Sequence, residues 1–227
     1  MKLSKRLKHI ESMVTPDYTH IWDCCCDHGL LGSALVSRCA APHIHFVDIV
    51  PEIMEKLESN LQSFYQSSPS RWQLHCLDVT AIPFEQYEGK SLVIIAGVGG
   101  DLLTHFVNSI HQKHSAKDID FLLCPVYHQF ALRQQLIELD FSLINEVLVE
   151  ENKRFYEILL VSSSAGNTGN LSKISPVGEL IWQADTIEQA KVAVNYRKKT
   201  LDHLQRMQQR NAVDIQHVIN AYRSVDV

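Results

Sequence analysis

The chain has 227 residues, 45% of them hydrophobic and 21% charged, and a formal net charge of −5 at pH 7. That length buries a full core in one α/β domain with residues left for a small appendage, and the negative balance excludes a protein coated in positive potential. No window approaches the apolar length of a membrane span, and the basic, amphipathic start MKLSKRLKHI has no long apolar run behind it, so neither a signal peptide nor a membrane partner is read and a soluble, cytoplasmic protein is expected.

From Ile21 to about Val161, strand-like apolar runs alternate with amphipathic helical stretches, the pattern of parallel βαβ units with helices on both faces of a sheet. The first strand, HIWDCCC, leads into GLLGSALVSRCA, which places Leu31, Ala34 and Leu35 on one helical face. The second, HIHFVDIV, is followed by PEIMEKLESNLQSF, whose proline suits a first helical turn and whose Ile53, Leu57, Leu61 and Phe64 fall at core-facing spacing. WQLHCLD, SLVIIAGV and DFLLCPV are the third, fourth and fifth strands, and a helix is expected around QFALRQQLIEL. FSLINEVLVEENKRFYEILLVSS then reads as two strands turning at Asn152-Lys153, which puts one antiparallel strand near the edge of a doubly wound, mostly parallel, seven-stranded Rossmann-like sheet. This catalytic-domain candidate spans residues 1–164, AGNTGNLSKIS at 165–175 reads as a linker, and residues 176–227 form a helical appendage. In the appendage Ile187, Val194 and Leu201, with Ala190 and Leu204 between, form a seven-residue seam, and a second helix from about Asn211 to Tyr222 folds back through Val213, Ile215, Val218 and Ile219.

Chemistry concentrates where the strands end. Cys24, Cys25, Cys26, Cys39, Cys76 and Cys124 lie mostly in apolar runs and read as reduced core thiols; three consecutive cysteines on an extended backbone face alternate sides, so no metal site is expected. DCCCDHG sits where a cofactor-binding turn opens a helix: Asp23 begins it, Cys25 and Asp27 stand where glycines are usual, and Gly29 remains. Asp48, about twenty-five residues on, ends the second strand, either to accept ribose hydroxyls or as a helix N-terminal acid ahead of Pro51. Asp78 closes the third strand at the level of an adenine edge, and AGVGG, Ala96 to Gly100, supplies a flexible turn after the fourth. An acid at Asp27 repels a pyrophosphate but attracts the amino and sulfonium groups of S-adenosylmethionine, so a cationic cofactor suits the loop better than a dinucleotide. The basic residues cluster in two places, Lys2, Lys5, Arg6 and Lys8 at the start and Lys191, Arg197, Lys198, Lys199, Arg206 and Arg210 in the appendage; both read as solvated helix faces or as a local surface for an acidic partner.

Together these residues resemble the bacterial tRNA (adenine-22-N1)-methyltransferase family, TrmK. The resemblance runs through KLSKRL, DCCCDHG in place of the family's D-x-G-x-D-H, AGVGG in place of A-G-M-G-G, and NEVLVEENKRFYEILLV, close to D-E-x-x-x-E-x-x-x-x-Y-E. It implies a class I methyltransferase sheet with a reversed seventh strand, S-adenosyl-L-methionine as cofactor, and tRNA as the substrate partner of a monomer or weak homodimer. It implies cofactor contacts from Arg6, Asp23, Cys25, Asp27, Gly29, Asp48, Ile49, Asp78, Val79, Gly97, Val98 and Gly99. Asp27 and His28 are implied to orient the adenine edge or stabilise the cationic product, Tyr127 to stack on the ring, and Lys198, Lys199 and Arg206 to hold tRNA phosphates. On their residues alone His28 also reads as a helix-start residue bonded to backbone and Tyr127 as a packing residue. The chain departs from the family at Cys25, at Val98, and at Val126, which follows Pro125 where the family has asparagine and so lacks an amide for the target base. A methyltransferase with another acceptor, or a catalytically silent RNA-binding relative, are the alternatives those departures leave.

Overall fold

The computed structural model describes residues 3–163, 171–210 and 214–226. Five parallel strands, β1 (His20–Cys24), β2 (His43–Asp48), β3 (Arg71–Cys76), β4 (Ser91–Ala96) and β5 (Ile119–Cys124), join β6 (Ser142–Glu151), β7 (Arg154–Ser162) and the two-residue β8 (Ser172–Lys173) in one sheet of order β3-β2-β1-β4-β5-β7-β6-β8. β7 inserts between β5 and β6 and runs antiparallel to both, as the hairpin reading requires. The expected seven strands are therefore present. An eighth falls inside the segment read as a linker, because Ser172 and Lys173 pair with Leu143 and Ser142; residues 164–170 lie outside the described residues.

Helices α1 (Lys5–Ser12), α2 (Leu30–Ser37) and α3 (Pro51–Tyr65) cover one face, packing Ile10, Leu31, Leu35, Leu57 and Leu61 on Ile21, Ile44, Phe46 and Leu122. α4 (Gly100–Lys113), for which the chain analysis made no reading, and α5 (Gln129–Glu138) cover the other with Leu103, Val107, Leu132 and Leu136. Three core expectations fail within a turn of the residue named, Ile53 being only half-buried beside the buried Met54. Phe64 is 78% exposed while Leu61 and Met54 are buried, because α3 points Met54, Leu57 and Leu61 down and leaves position 64 on the solvent flank; Ala34 is only half-buried beside the buried Leu35 and Val36.

Over β1 to β3 the second face is covered by Val79, Ile82 and Phe84 of the segment after β3 and by a row of rings: His20 Nδ1 lies 3.0 Å from His45 Nε2, His45 Nδ1 lies 3.0 Å from His75 Nε2, and Trp22 stacks on His45 at 3.7 Å. Burial depresses all three histidines, His45 to about 2, so they are neutral and can pass one hydrogen bond to the next, ending on the Glu88 carbonyl.

The appendage is docked on the sheet. α6 (Ile187–Arg210) and α7 (Gln216–Arg223) pack Ala193, Tyr196, Val218 and Tyr222 against Trp182, Phe155 and Phe130. The heptad seam holds only in its second half: Ile187 is 78% and Val194 50% exposed, whereas Leu201 and Leu204 pack on the cluster whose buried α6 members are Ala193 and Tyr196. A long helix packed on a sheet edge buries the face its partner selects, not the face a coiled coil would. Arg133, fully buried, fixes the junction by pairing with Glu157 (Nε to Oε2, 2.7 Å) and Glu146 (Nη2 to Oε2, 2.7 Å), while the Tyr196 hydroxyl donates to Glu157. Among the described residues no helix is long and apolar enough to cross a membrane, and no group of three or more His, Cys, Asp or Glu side chains is placed to hold a metal ion.

Candidate active site

The chain steps outward from β1 to β3 and then returns to place β4 on the other side of β1, so the loops after β1 and β4 part at the carboxyl edge of the sheet. A cavity of about 240 Å³ opens there, lined by Arg6, Asp23, Cys25, Cys26, Asp27, His28, Gly97 and Val98 among others.

β1 ends at Cys24, not Cys26, and the reason is local. Cys25 and Asp27 both take left-handed backbone (φ 54 and 49), which an extended strand cannot contain. Glycine adopts this conformation without strain, so Cys25 stands in it at a cost and supplies the turn all the same. The three cysteines accordingly do not alternate along a strand: Cys24 and Cys26 are buried and Cys25 half-buried. Burial, then the nearby Asp48, Asp23 and Asp78, push the Cys25 thiol up to about 11, and burial raises Cys24 and Cys26 likewise. All six thiols are free; Cys24, Cys26 and Cys124 are core, as expected, whereas Cys39 and Cys76 are exposed. Gly29 closes the turn with φ 65, and a Cβ there would meet Leu57 Cδ1 at 2.5 Å, so the start of α2 sits against α3 only because this residue is glycine.

The acids of this edge are held by backbone amides. Asp23, buried at the end of β1, accepts from the Gly32 N–H at 2.8 Å; burial, against that hydrogen bond and with help from Asp48, raises its carboxyl to about 7. Asp48 accepts from the N–H groups of Ile49 (2.8 Å) and Val50 (3.2 Å) on Oδ1 and from Asp27 (3.0 Å) on Oδ2. It thus satisfies the turn ahead of Pro51, the second of the two roles its position suggested, and ties the loops after β1 and β2 together. Asp78 accepts from the Thr80 N–H (2.8 Å) and hydroxyl (2.6 Å), which with other contacts hold it below the usual carboxylate range. Ile49 is exposed beside Asp48, but the Val79 side chain is core, so any ligand contact there falls to its backbone.

Across the cavity, α1 brings Arg6 in. The Lys5 and Arg6 N–H groups donate to Glu151, the guanidinium lies 4.9 Å over the Tyr156 ring, and Gly97 leaves its own position open toward it, an added Cβ standing 3.6 Å from the nearer guanidinium nitrogen. Arg6 Nε is buried and has no hydrogen-bond partner among the described residues. Beside it, burial pushes the Cys124 thiol up to about 12 against the pull of the guanidinium. The Val126 N–H donates to the Val98 carbonyl at 2.9 Å, joining the loops after β4 and β5.

The three residues implied as catalytic do not share one pocket. Asp27 and His28 line the cavity, both largely exposed, with His28 Nε2 3.7 Å from Asp27 Oδ1. Tyr127 lies beyond Val126, half-exposed, its ring so close to Gly99 that a Cβ there would meet the hydroxyl at 2.2 Å; it lines a second groove facing α6 and α7. Of the three basic residues assigned to tRNA, Lys199 reaches that groove, donating to the Lys153 carbonyl (3.0 Å) 4.9 Å over Phe155; Lys198 and Arg206 are exposed on α6 outside it. His128, which no sequence motif singled out, lines the same groove; it is left-handed (φ 63) and its Nδ1 lies 2.8 Å from Asp101 Oδ1. Its signal was a polar ring directly after Val126-Tyr127 at a strand end.

Comparison with known proteins agrees with this geometry. Residues 3–159 match the family described as "Methyltransferase domain". A curated relative, the tRNA (adenine(22)-N(1))-methyltransferase of Bacillus subtilis (strain 168), is 32% identical over 71 residues, which are 31% of this chain and 29% of that relative's length. Among solved structures, TrmK from M. capricolum in complex with S-adenosyl-homocysteine superposes with a TM-score of 0.71 at 17% identity, covering 98% of this chain and 97% of that one. The B. subtilis M1A22 tRNA methyltransferase TrmK superposes at 0.66 and 22% identity, covering 98% and 93%. At those identities the likeness establishes the fold, including the helical appendage.

Proposed function

Starting from the fact that this chain belongs to the methyltransferase-domain family, we propose that it transfers a methyl group from S-adenosylmethionine to N1 of an adenine in tRNA, at position 22. The observation that carries the cofactor half is a set of carboxylates at one edge of the sheet, Asp23 and Asp48 held by backbone N–H groups and Asp27 exposed in the cavity, which suits a cationic ligand. The acceptor half is supported by the resemblance of the motifs and by the curated relative.

The residues present fit the cofactor. Asp48 lies at the end of β2 where ribose hydroxyls are read, Asp78 is one strand further out for the adenine, and the unpartnered Arg6 Nε offers a donor to an amino-acid carboxylate. When bound, the cofactor supplies an electrophilic methyl group next to its sulfonium. Adenine N1 carries an in-plane lone pair, so the chain's task is alignment rather than creation of a nucleophile. Asp27 and His28 face the cavity to orient the base edge, and Asp27 can balance the positive charge that the ring acquires. Tyr127 offers an exposed ring to a base leaving its stack.

Val126, exposed where the resembled family has an amide, favours a second reading with the same cofactor and a different acceptor atom. His128, on the same loop as Val126 and oriented by Asp101 of α4, is the polar ring that stands nearby in sequence to replace that amide. Incubating the protein with S-adenosylmethionine and unmodified tRNA, followed by nucleoside mass spectrometry, separates the readings. N1-methyladenosine mapped to position 22 supports the first; a different methylated nucleoside moves the assignment to the second, and no methylated RNA removes the acceptor assignment.

A further inference from the structure

The groove beyond Tyr127 is a feature that neither the cofactor nor the target base accounts for. It runs between α5 and the α6–α7 pair with a volume of about 440 Å³. Tyr127 and His128 form its end nearest the cofactor cavity; Phe130 of α5 and Phe155 of β7 line it together with Lys199 and His203 of α6, the Lys199 ammonium lying over the Phe155 ring. Among the described residues no Asp or Glu lines it. On the opposite flank of α6 the situation is reversed: a cavity of about 450 Å³ between α1, β6 and the start of α6 is lined by Glu146, Glu150, Asp185 and Glu188. One helix thus separates an acidic flank from a flank that presents aromatic faces and cations.

Resting on the RNA-acceptor reading above, we propose that this groove holds an unstacked nucleotide neighbouring the methylated one, its base against Tyr127 and Phe130 and its phosphate at Lys199 and His203. Aromatic rings, a fixed cation at Lys199 and the lack of lining carboxylates are what a single-stranded nucleic-acid segment requires, and a negatively charged or purely apolar protein segment uses only part of that set. Continuity with the active site gives the register. When the target base leaves its stack, its neighbour loses a stacking partner, and Tyr127 stands between the two pockets: its hydroxyl lies against Gly99 on the cofactor side, while its residue lines the groove on the other. Lys199 spends one donor on the Lys153 carbonyl, which fixes the ammonium over Phe155 and leaves its remaining donors for a phosphate.

The test is the affinity of the full-length protein for an unmodified tRNA transcript, measured by fluorescence anisotropy, alongside S-adenosylmethionine affinity by calorimetry. Thr200→Trp fills the groove from α6, and His203→Glu places a carboxylate in it with little packing consequence, since His203 is exposed. Both are expected to weaken tRNA binding about ten-fold or more while cofactor affinity stays at the wild-type value, and Glu188→Gln on the opposite flank is expected to change neither. A transcript with 2-aminopurine next to the target adenine should show its emission altered on binding to the wild type and unaltered with Thr200→Trp. The proposal is overturned if both groove variants, folded by the calorimetric criterion, bind tRNA as the wild type does, or if the wild type binds no RNA, including the case where the groove proves to hold a protein instead. If tRNA binds through the groove but N1 is not methylated, the acceptor assignment fails and the groove assignment stands.

Discussion

At the carboxyl edge of the sheet, the loops after β1, β2 and β3 carry Asp23, Asp27, Asp48 and Asp78, while the loops after β4 and β5, with α6 behind them, present Tyr127, His128, Lys199 and His203. Three of the acids are immobilised by main-chain N–H groups: Gly32 holds Asp23, three amides hold Asp48, and Thr80 holds Asp78. On the other side, Asp101 holds His128, the Lys153 carbonyl holds Lys199, and the docking of a separate helical pair brings them together. The first half is therefore fixed by the fold of the loops themselves. The second depends on tertiary contacts made far along the chain. A cationic cofactor and a polyanionic acceptor call for that division of charge, with the reacting atoms meeting at the boundary.

The largest break in this comparison comes from Arg133→Met, which leaves Glu146 and Glu157 buried without their counter-charge. It should cost about 3–5 kcal/mol of stability in urea denaturation. It should also expose the α6–α7 pair to proteolysis before the sheet, so that RNA affinity is lost ahead of cofactor affinity; simultaneous loss of both would show that the halves are not separable.

Asp48→Ala attacks the other half. It removes the acceptor of three amides and the proposed ribose contact, and should weaken S-adenosylmethionine binding about 100-fold, in line with about 1.5–3 kcal/mol for a charged hydrogen bond, with tRNA affinity within about two-fold of the wild type. Calorimetry and anisotropy on one preparation read both numbers.

Asp23→Asn sharpens the contrast through pH. The folded carboxyl titrates near 7, above its unfolded value of about 3.9, so its ionisation opposes folding increasingly as pH rises from about 4 to above 7. Asparagine keeps an acceptor for Gly32 but does not ionise. The apo variant should melt above the wild type by a margin that widens from pH 5 to pH 8, and the wild type alone should gain cofactor affinity across that range, because the cationic ligand favours the ionised form. A margin independent of pH would contradict the raised carboxyl.

The smallest effect is expected at Cys25→Gly. Relief of left-handed strain, roughly 1 kcal/mol, is offset by the added freedom of the unfolded chain, about 0.5–1 kcal/mol. Melting temperature and cofactor affinity should both stay close to the wild type, whereas Cys25→Val, β-branched at φ 54, should lower both.

Much of the first half of the site was legible in the chain. Asp23 and Asp48 stand at the carboxyl ends of β1 and β2, whereas Asp78, expected to close the third strand, caps the turn that follows β3; a strand's period and a nearby acid are properties of consecutive residues. The hairpin that reverses β7 was equally local, turning at Asn152 and Lys153, both left-handed. What was misread lies where a partner decides: Phe64 outside the core, Ile187 and Val194 on the open side of α6, and β8 inside a presumed linker.

The sequence by itself determined the alternation of strands and helices, the reversed hairpin and the acid at each strand end, because periodicity and turn chemistry act over a few residues. Only the tertiary structure decided which face of α6 is buried and where its cations point. Arg133, Glu146, Glu157 and Tyr196 come from four elements, and nothing in their spacing along the chain announces that they meet in one buried cluster. That cluster lays α6 beside α5, and the groove with its separation of charge exists only once they have met.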